Sequence, residues 1–308
     1  MPEQDGDPSP PDTPARPVAG SRSRLLLLGT GGGPTIHANK TRTGPANAVV
    51  VDGVPYVVDC GEGAPRQFVR AGLDFPDVDH VFITHQHFDH NCELGNFLAH
   101  SWFAGRRTPV DVWGPPRLVG MLEDYVRLNE FDFRLREKET GRPAFDPIPR
   151  PHELDMEGPI RHEPVEVLVD ERVRVSAIRV NHGLVPSVAY RFSTPDRDIV
   201  FSGDRGGQDD IASFARGADV LVHEVLHYEA MLQTFPNAPE AVLAHYRNDH
   251  TSPEDVGRVA TQAGVRKLVL NHVLPDNDLV DEAEWIRLVG KTFDGEVLLG
   301  TDLVEVEA

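Results

Sequence analysis

The sequence predicts an α/β protein in which two β-sheets lie back to back with helices outside, a four-layer αββα sandwich. Two observations carry this reading. Short apolar, β-branched runs recur along the chain and alternate with segments of helical periodicity. Several of those runs end in histidine or aspartate, which puts the chemistry at one rim of a sheet. Isolated His and Asp residues would instead scatter over helices, faces and turns.

Taken in chain order, Met1 to about Ser23 is rich in Pro, Asp, Ser and Gly and nearly free of apolar residues, the composition of a disordered tail. Residues 24–308 are then expected to form a single catalytic domain. Leu25–Leu28 is far too short for a membrane helix and has no cleavage site after it, so it reads as the first core strand. The following Gly29-Thr30-Gly31-Gly32-Gly33-Pro34 does not make a dinucleotide fingerprint. That motif needs a glycine where Pro34 stands and then a helix, whereas Thr35 to Gly44 is polar and turn-rich. Lys40 and Arg42 in this stretch read as solvated surface groups, with contact to an anionic substrate as the alternative. Further strands are expected at Ala46–Val51, Pro55–Asp59, Val81–Thr84, Val110–Trp113, Val165–Val169, Arg172–Val180, Ser187–Phe192, Ile199–Ser202, Val220–His223 and Lys267–Leu270. Leu118, Met121, Leu122 and Tyr125 have the spacing of an amphipathic helix, as do Val256, Val259, Ala260 and Ala263. Glu130 to Glu163 is charged and Pro-rich with weak periodicity, and reads as a surface excursion, with a lid or a dimer arm as alternatives.

The chemistry concentrates in His85-Gln86-His87-Phe88-Asp89-His90, directly after the apolar approach Val81–Thr84. Imidazole nitrogen and carboxylate oxygen are good ligands for zinc and its neighbours, and a strand holds the backbone from which they fan out. Three later strands end the same way, at His182, at Asp204 after Ile199-Val200-Phe201-Ser202-Gly203, and at His272 after Leu268-Val269-Leu270-Asn271. Leu221-Val222-His223-Glu224 closes another apolar strand, and His250-Thr251-Ser252 precedes the helix from Pro253. His223 also reads as a packed strand-end residue. His250 could cap its helix, although Thr251 or Ser252 before Pro253 suits a cap better.

With these residues in view, the chain resembles the metallo-β-lactamase superfamily from about Arg24 to the C-terminus. The matching stretches are Thr84 to His90, His182, Ser202-Gly203-Asp204 and His272, with Val57-Val58-Asp59-Cys60-Gly61-Glu62-Gly63 as an early strand and turn. The resemblance implies the sandwich fold of that family and two divalent metal ions, zinc first, with manganese or iron(II) as alternatives. One ion would take His85, His87 and His182, the other Asp89, His90 and His272, and Asp204 would bridge them with a hydroxide. Asp59 would orient ligands. Asp89 would also orient the nucleophile or accept its proton. Within the superfamily, His223-Glu224 and His250-Thr251-Ser252 are similar to motifs of the arylsulfatase-like and ribonuclease Z-like (tRNase Z) branch, which implies His250 as the acid that protonates the leaving group and Glu224 as its support. A carboxylate-held imidazole can deliver such a proton near neutral pH.

Composition bounds the function. The 308-residue chain carries a net charge of −19, and its basic residues form no run longer than pairs such as Arg106-Arg107. Such a surface repels nucleic-acid phosphates. Its two cysteines, Cys60 and Cys92, cannot make a disulfide framework, which points to a reducing, cytoplasmic setting. Cys92 reads as a small buried filler, with a place lining the site as the alternative. The resulting expectation is a dinuclear metal-dependent hydrolase acting on a small-molecule anionic ester, sulfate or phosphate. Nucleic acid and membrane are not expected partners, and a homodimer stays open. Against a tRNA 3′-processing endonuclease, the short stretch from His182 to Asp204 leaves no room for a tRNA-gripping arm. A lactone or thioester acyl hydrolase is a further alternative, and a binding protein that has kept the fold is another.

Overall fold

The computed structural model describes residues 23–155, 163–207 and 211–307. The proposed tail therefore lies outside the described residues except at Ser23, which already belongs to the first strand. One seven-stranded sheet contains β1 (Ser23–Gly29), β2 (Ala46–Val51), β3 (Val54–Val58), β4 (His80–Phe82), β5 (Val110–Gly114), β6 (Pro149–Glu153) and, on the far side of β1, β14 (Val304–Val306). The other contains β7 (Val165–Val169), β8 (Arg174–Val180), β9 (Ser187–Ser193), β10 (Asp198–Phe201), β11 (Val220–Leu226), β12 (Lys267–Leu274) and β13 (Glu296–Leu299). Each sheet begins with antiparallel neighbours and finishes with parallel ones: β3 through β6 run parallel in the first, β10 through β13 in the second.

Strand periodicity makes the layers. Successive side chains of a strand point to opposite faces. In β1 this sends Leu25 and Leu27 to a core shared with Val188, Tyr190, Phe192 and Val222 of the second sheet, so the sheets pack face to face. Leu26 and Leu28 turn the other way, into a core with Phe68 of α1 (Ala64–Arg70) and Phe97, Leu98 and Trp102 of α3 (Leu94–Phe103). A third core sets Val200, Leu221 and Leu268 of the second sheet against Val256 and Ala260 of α8 (Pro253–Ala263) and Trp285 and Val289 of α9 (Glu282–Val289). Helices outside two facing sheets are the four layers that the sequence predicts.

The remaining helices are α2 (Phe88–Asn91), α4 (Leu118–Thr140), α5 (Ile211–Phe214), α6 (Tyr228–Thr234) and α7 (Glu240–Asp249). Two expectations need correction. Glu130 to Glu163 is not a surface excursion throughout: its first part continues α4 to Thr140, and β6 then pairs in parallel with β5. Residues 156–162 of that segment lie outside the described residues. β6 holds Pro149 and Pro151, and it takes the edge position where a missing backbone donor is tolerated. Lys40 and Arg42 are also not solvated surface groups. Lys40 Nζ lies 3.1 Å from Asp276, and Arg42 bonds Thr30 Oγ1 and the Gly300 carbonyl. Among the described residues no helix is long and apolar enough to cross a membrane.

Candidate metal centre

The rim where the strands end gathers every residue singled out as a ligand. β4 leads into His85, which bridges to Ser187 at the start of β9, and the chain then turns through His87 into α2, which carries Asp89 and His90. His182 follows β8 and Asp204 follows β10. His272 lies within β12, which continues to Leu274 rather than ending at Leu270. Opposite it, Glu224 pairs with Asn271 and Val225 with Val273, so His272 is the extra residue of a β-bulge, at φ 45°. A bulge re-aims a side chain next to a site without ending the strand.

The ring nitrogens converge. His87 Nδ1 lies 3.0 Å from His85 Nε2 and 3.1 Å from His182 Nε2. Tetrahedral ligands around zinc stand about 3.3 Å apart. Burial presses all three imidazoles towards the neutral form, His182 down to about 4. His182 Nδ1 donates to the Asp249 carbonyl at 2.8 Å, which leaves the Nε2 lone pair facing the cluster. Ring nitrogens brought this close must share either a proton or a cation, and a single proton on His87 Nδ1 cannot serve both neighbours fully.

A second group adjoins the first. His272 Nε2 is 3.3 Å from Asp89 Oδ2, and His90 Nε2 is 3.7 Å from the same oxygen. His90 Nε2 is buried with no hydrogen-bond partner. Asp204 Oδ2 sits between the groups, 3.2 Å from His272, 3.4 Å from His90, 3.9 Å from His85 and 4.0 Å from His182. Burial would raise the pKa of Asp204 and Asp89, but the surrounding His272 and His90 hold both carboxylates below their usual range. Burial likewise opposes charge on His90, and Asp204, Asp59 and Asp89 outweigh it, raising that pKa. Such a donor set, two adjoining clusters of nitrogen and carboxylate oxygen sharing one carboxylate, suits a pair of divalent ions.

Supporting contacts fix these groups. Asp59 Oδ2 accepts from His90 Nδ1 at 2.9 Å, and its carboxylate also receives the Thr84 amide and hydroxyl. The Gly33 amide donates to Asp89 Oδ2 at 2.9 Å. His250 Nδ1 lies 3.2 Å from Glu224 Oε2 and 3.9 Å from Asp204 Oδ2. Burial opposes protonation of His250, but the hydrogen bond and charge of Glu224, with Asp204 and Asp89, outweigh it and raise its pKa. Ser252, not His250, caps α8, accepting from the Asp255 amide. His223 stays apart from the cluster. It is fully buried, its Nδ1 meets the Glu224 carbonyl at 2.6 Å, and burial together with Arg205 lowers its pKa to about 3. Cys92 is half-buried and does not line the centre.

A cavity of about 360 Å³ opens from the centre, with Asp204, His250 and His272 on its floor. Its wall includes residues that sequence reading did not find, notably Phe235, His245 and Tyr246. For Tyr246 a signal existed: Val242 stands four residues before it, the spacing of one helix face.

Comparison with known proteins agrees with this fold. Residues 48–273 match the family model described as the beta-lactamase superfamily domain. Over 291 residues the chain is 30% identical to a ribonuclease Z of Mycobacterium marinum, covering 92% of this chain and 98% of the relative. Among solved structures, the metallo-beta-lactamase fold protein YhfI from Bacillus subtilis superposes with a TM-score of 0.68 at 16% identity, covering 93% of this chain and 99% of that one. Human tRNase Z, short form, superposes with a TM-score of 0.65 at 21% identity, covering 92% and 98%.

Proposed function

The chain belongs to the beta-lactamase superfamily, and from that premise we propose that it is a metal-dependent hydrolase of small anionic esters, phosphodiesters first. His85, His87 and His182 would hold one divalent ion, Asp89, His90 and His272 the other, with Asp204 shared. Two such ions, when bound, lower the pKa of water and offset charge on the attacked group. Asp89, which accepts from the Gly33 amide, would align the attacking oxygen.

The observation that carries the ester reading is the buried His250–Glu224 pair beside Asp204. Cleaving a phosphorus–oxygen bond expels an alkoxide, which needs a proton. His250 Nδ1 is held by Glu224, so Nε2 is the nitrogen left to give that proton to the leaving oxygen. Before the transfer Glu224 balances the positive charge of the doubly protonated ring, which is neutral once the proton has gone. A carbonyl substrate needs this help less. Ribonuclease Z-like tRNA 3′ processing is the second reading, favoured by the ribonuclease Z relatives. Against it stand the net charge of −19 and the stretch between His182 and Asp204, which is taken up by β9 and β10.

The test is to assay zinc- and manganese-loaded protein on an aryl phosphodiester, an aryl sulfate and an aryl acetate. Diester turnover should vanish on chelation and fall by about a thousandfold or more in Asp204→Ala. On a diester with an alkyl leaving group it should fall roughly 10²- to 10⁴-fold in His250→Ala, with a smaller effect on the aryl diester and the acetate, whose phenolate leaves with little help. Metal-dependent turnover of acetate alone would replace this reading with an acyl hydrolase.

A further inference from the structure

The cavity beside the centre has a wall of its own that the hydrolytic chemistry does not use. Leu226, Met231 and Leu274 form an apolar cluster separate from the three sheet cores, with Tyr228, Phe235 and Tyr246 packed on it. The cavity is bounded there by Met231, Phe235, Val242, Tyr246, Leu274 and Pro275. At its far end the His37 ring meets Phe235 edge-on, with centroids 6.1 Å apart, and His37 Nε2 is tied to Asp276 at 3.1 Å. Phe88, 67% exposed, stands at the mouth.

Placement of the acid says which part of a substrate this wall would meet. Val242 and Tyr246 lie on α7, and His250 is the residue that ends that helix. A step of four puts Val242 and Tyr246 on one side of it, and His250, whose backbone is extended, lines the same cavity. In the proposed reaction the leaving oxygen lies at His250, which lines one cavity with Tyr246 and Phe235, so the group attached to that oxygen would lie against them. A volume of about 360 Å³ suits one ring system, at the small end of ligand pockets, and not a folded polynucleotide. Aromatic walls favour a flat ring, through edge-to-face and offset contacts.

We propose that this cavity is the leaving-group subsite and that it takes a flat aromatic ring, an aryl alcohol or a nucleoside base, borne on the oxygen that His250 protonates. The proposal rests on the ester-hydrolase reading for the word "leaving", but the ring-binding wall can be tested without turnover.

The experiment is calorimetric titration of the metal-loaded protein with 1-naphthol in one arm and adenosine in the other, for wild type, Phe235→Ala, Tyr246→Ala and Tyr246→Phe. Metal content and circular dichroism are followed in parallel. Phe235 and Tyr246 are only partly buried and lie outside the sheet cores, so their truncation leaves the fold standing. At least one ligand should bind wild type, with affinity about tenfold weaker in each alanine variant and kept in Tyr246→Phe. Naphthol alone marks the ring as aryl, and adenosine alone marks it as a base. Failure of both to bind wild type, or equal affinity in the alanine variants, overturns the proposal. Ring binding without turnover of any ester would instead sink the hydrolase reading and leave only the ring-binding wall standing.

Discussion

At Gly32 a β-carbon would stand 2.6 Å from Cε1 and Nδ1 of His272 and 2.8 Å from Cγ of Leu274. Contacts that short force a shift. The backbone of His272 is already held at φ 45° by the bulge, so its ring is the part that must yield. Gly32→Ala should therefore leave the protein folded while weakening the ion proposed to sit on Asp89, His90 and His272. Loss of an orienting contact typically costs 10- to 100-fold in metal affinity, so about that is expected here. The ion on His85, His87 and His182 should be untouched. Competition with a chelator, read as metal bound per protein, checks this: two ions of equal affinity in the variant would refute it. The seven candidate ligands were legible in the sequence because each follows an apolar run. The role of Gly32 was not, since a glycine run after a strand fits a turn as well as a close approach. Lys40 and Arg42 misled for a related reason: partners such as Asp276 and Gly300 lie hundreds of residues away in sequence and leave no local sign.

Elements were legible where their burial was periodic. β2 and β7 have their expected bounds, and the others expected from alternation or apolar runs begin or end within a few residues of them. The second half of α4 was not, because that helix buries little beyond Leu118, Leu122 and Phe133. Local ion pairs help to hold its exposed turns, such as Arg136 with Asp132 at 2.7 Å and Arg134 with Glu137 at 3.1 Å, and these carry no apolar stripe to read. β6, with two prolines in five residues, resembles a strand only once β5 is there to receive it. α7 is thinner still, with no fully buried residue, although it supplies the Asp249 carbonyl to His182 and ends at His250. α8, next in the chain, buries Val256, Gly257, Ala260 and Ala263. Few buried contacts mean a low free energy of local opening. Amides of α7 are therefore expected to exchange with deuterium at least about tenfold faster than those of α8, and to slow when the aromatic cavity is filled. Equal protection of the two helices would show α7 to be part of the rigid frame.

Charge belongs to the whole molecule, and it bears on which substrate the proposed hydrolase would meet. The ligands run from His85 to His272, so both sheets must be in place before the centre exists, and the whole chain has a net charge of −19. The ribonuclease Z relatives nonetheless make tRNA the substrate to test against. A protein gripping RNA through six to ten phosphate contacts releases counterions, and its affinity falls by about 10³–10⁵ between 50 and 200 mM salt. An acidic chain in which β9 and β10 take up the stretch from His182 to Asp204 has little to release. Binding of a fluorescently labelled tRNA precursor with a 3′ extension should thus be weaker than about 10⁻⁴ M at physiological salt, with a shallow dependence on salt. Fluorescence anisotropy at the two salt concentrations measures both quantities. Submicromolar affinity with a steep negative slope, together with cleavage at the 3′ end, would show that a local basic surface overrides the net charge. It would also move the ribonuclease reading ahead of the small-ester one, with the proposed ring-binding wall then facing a base of the RNA.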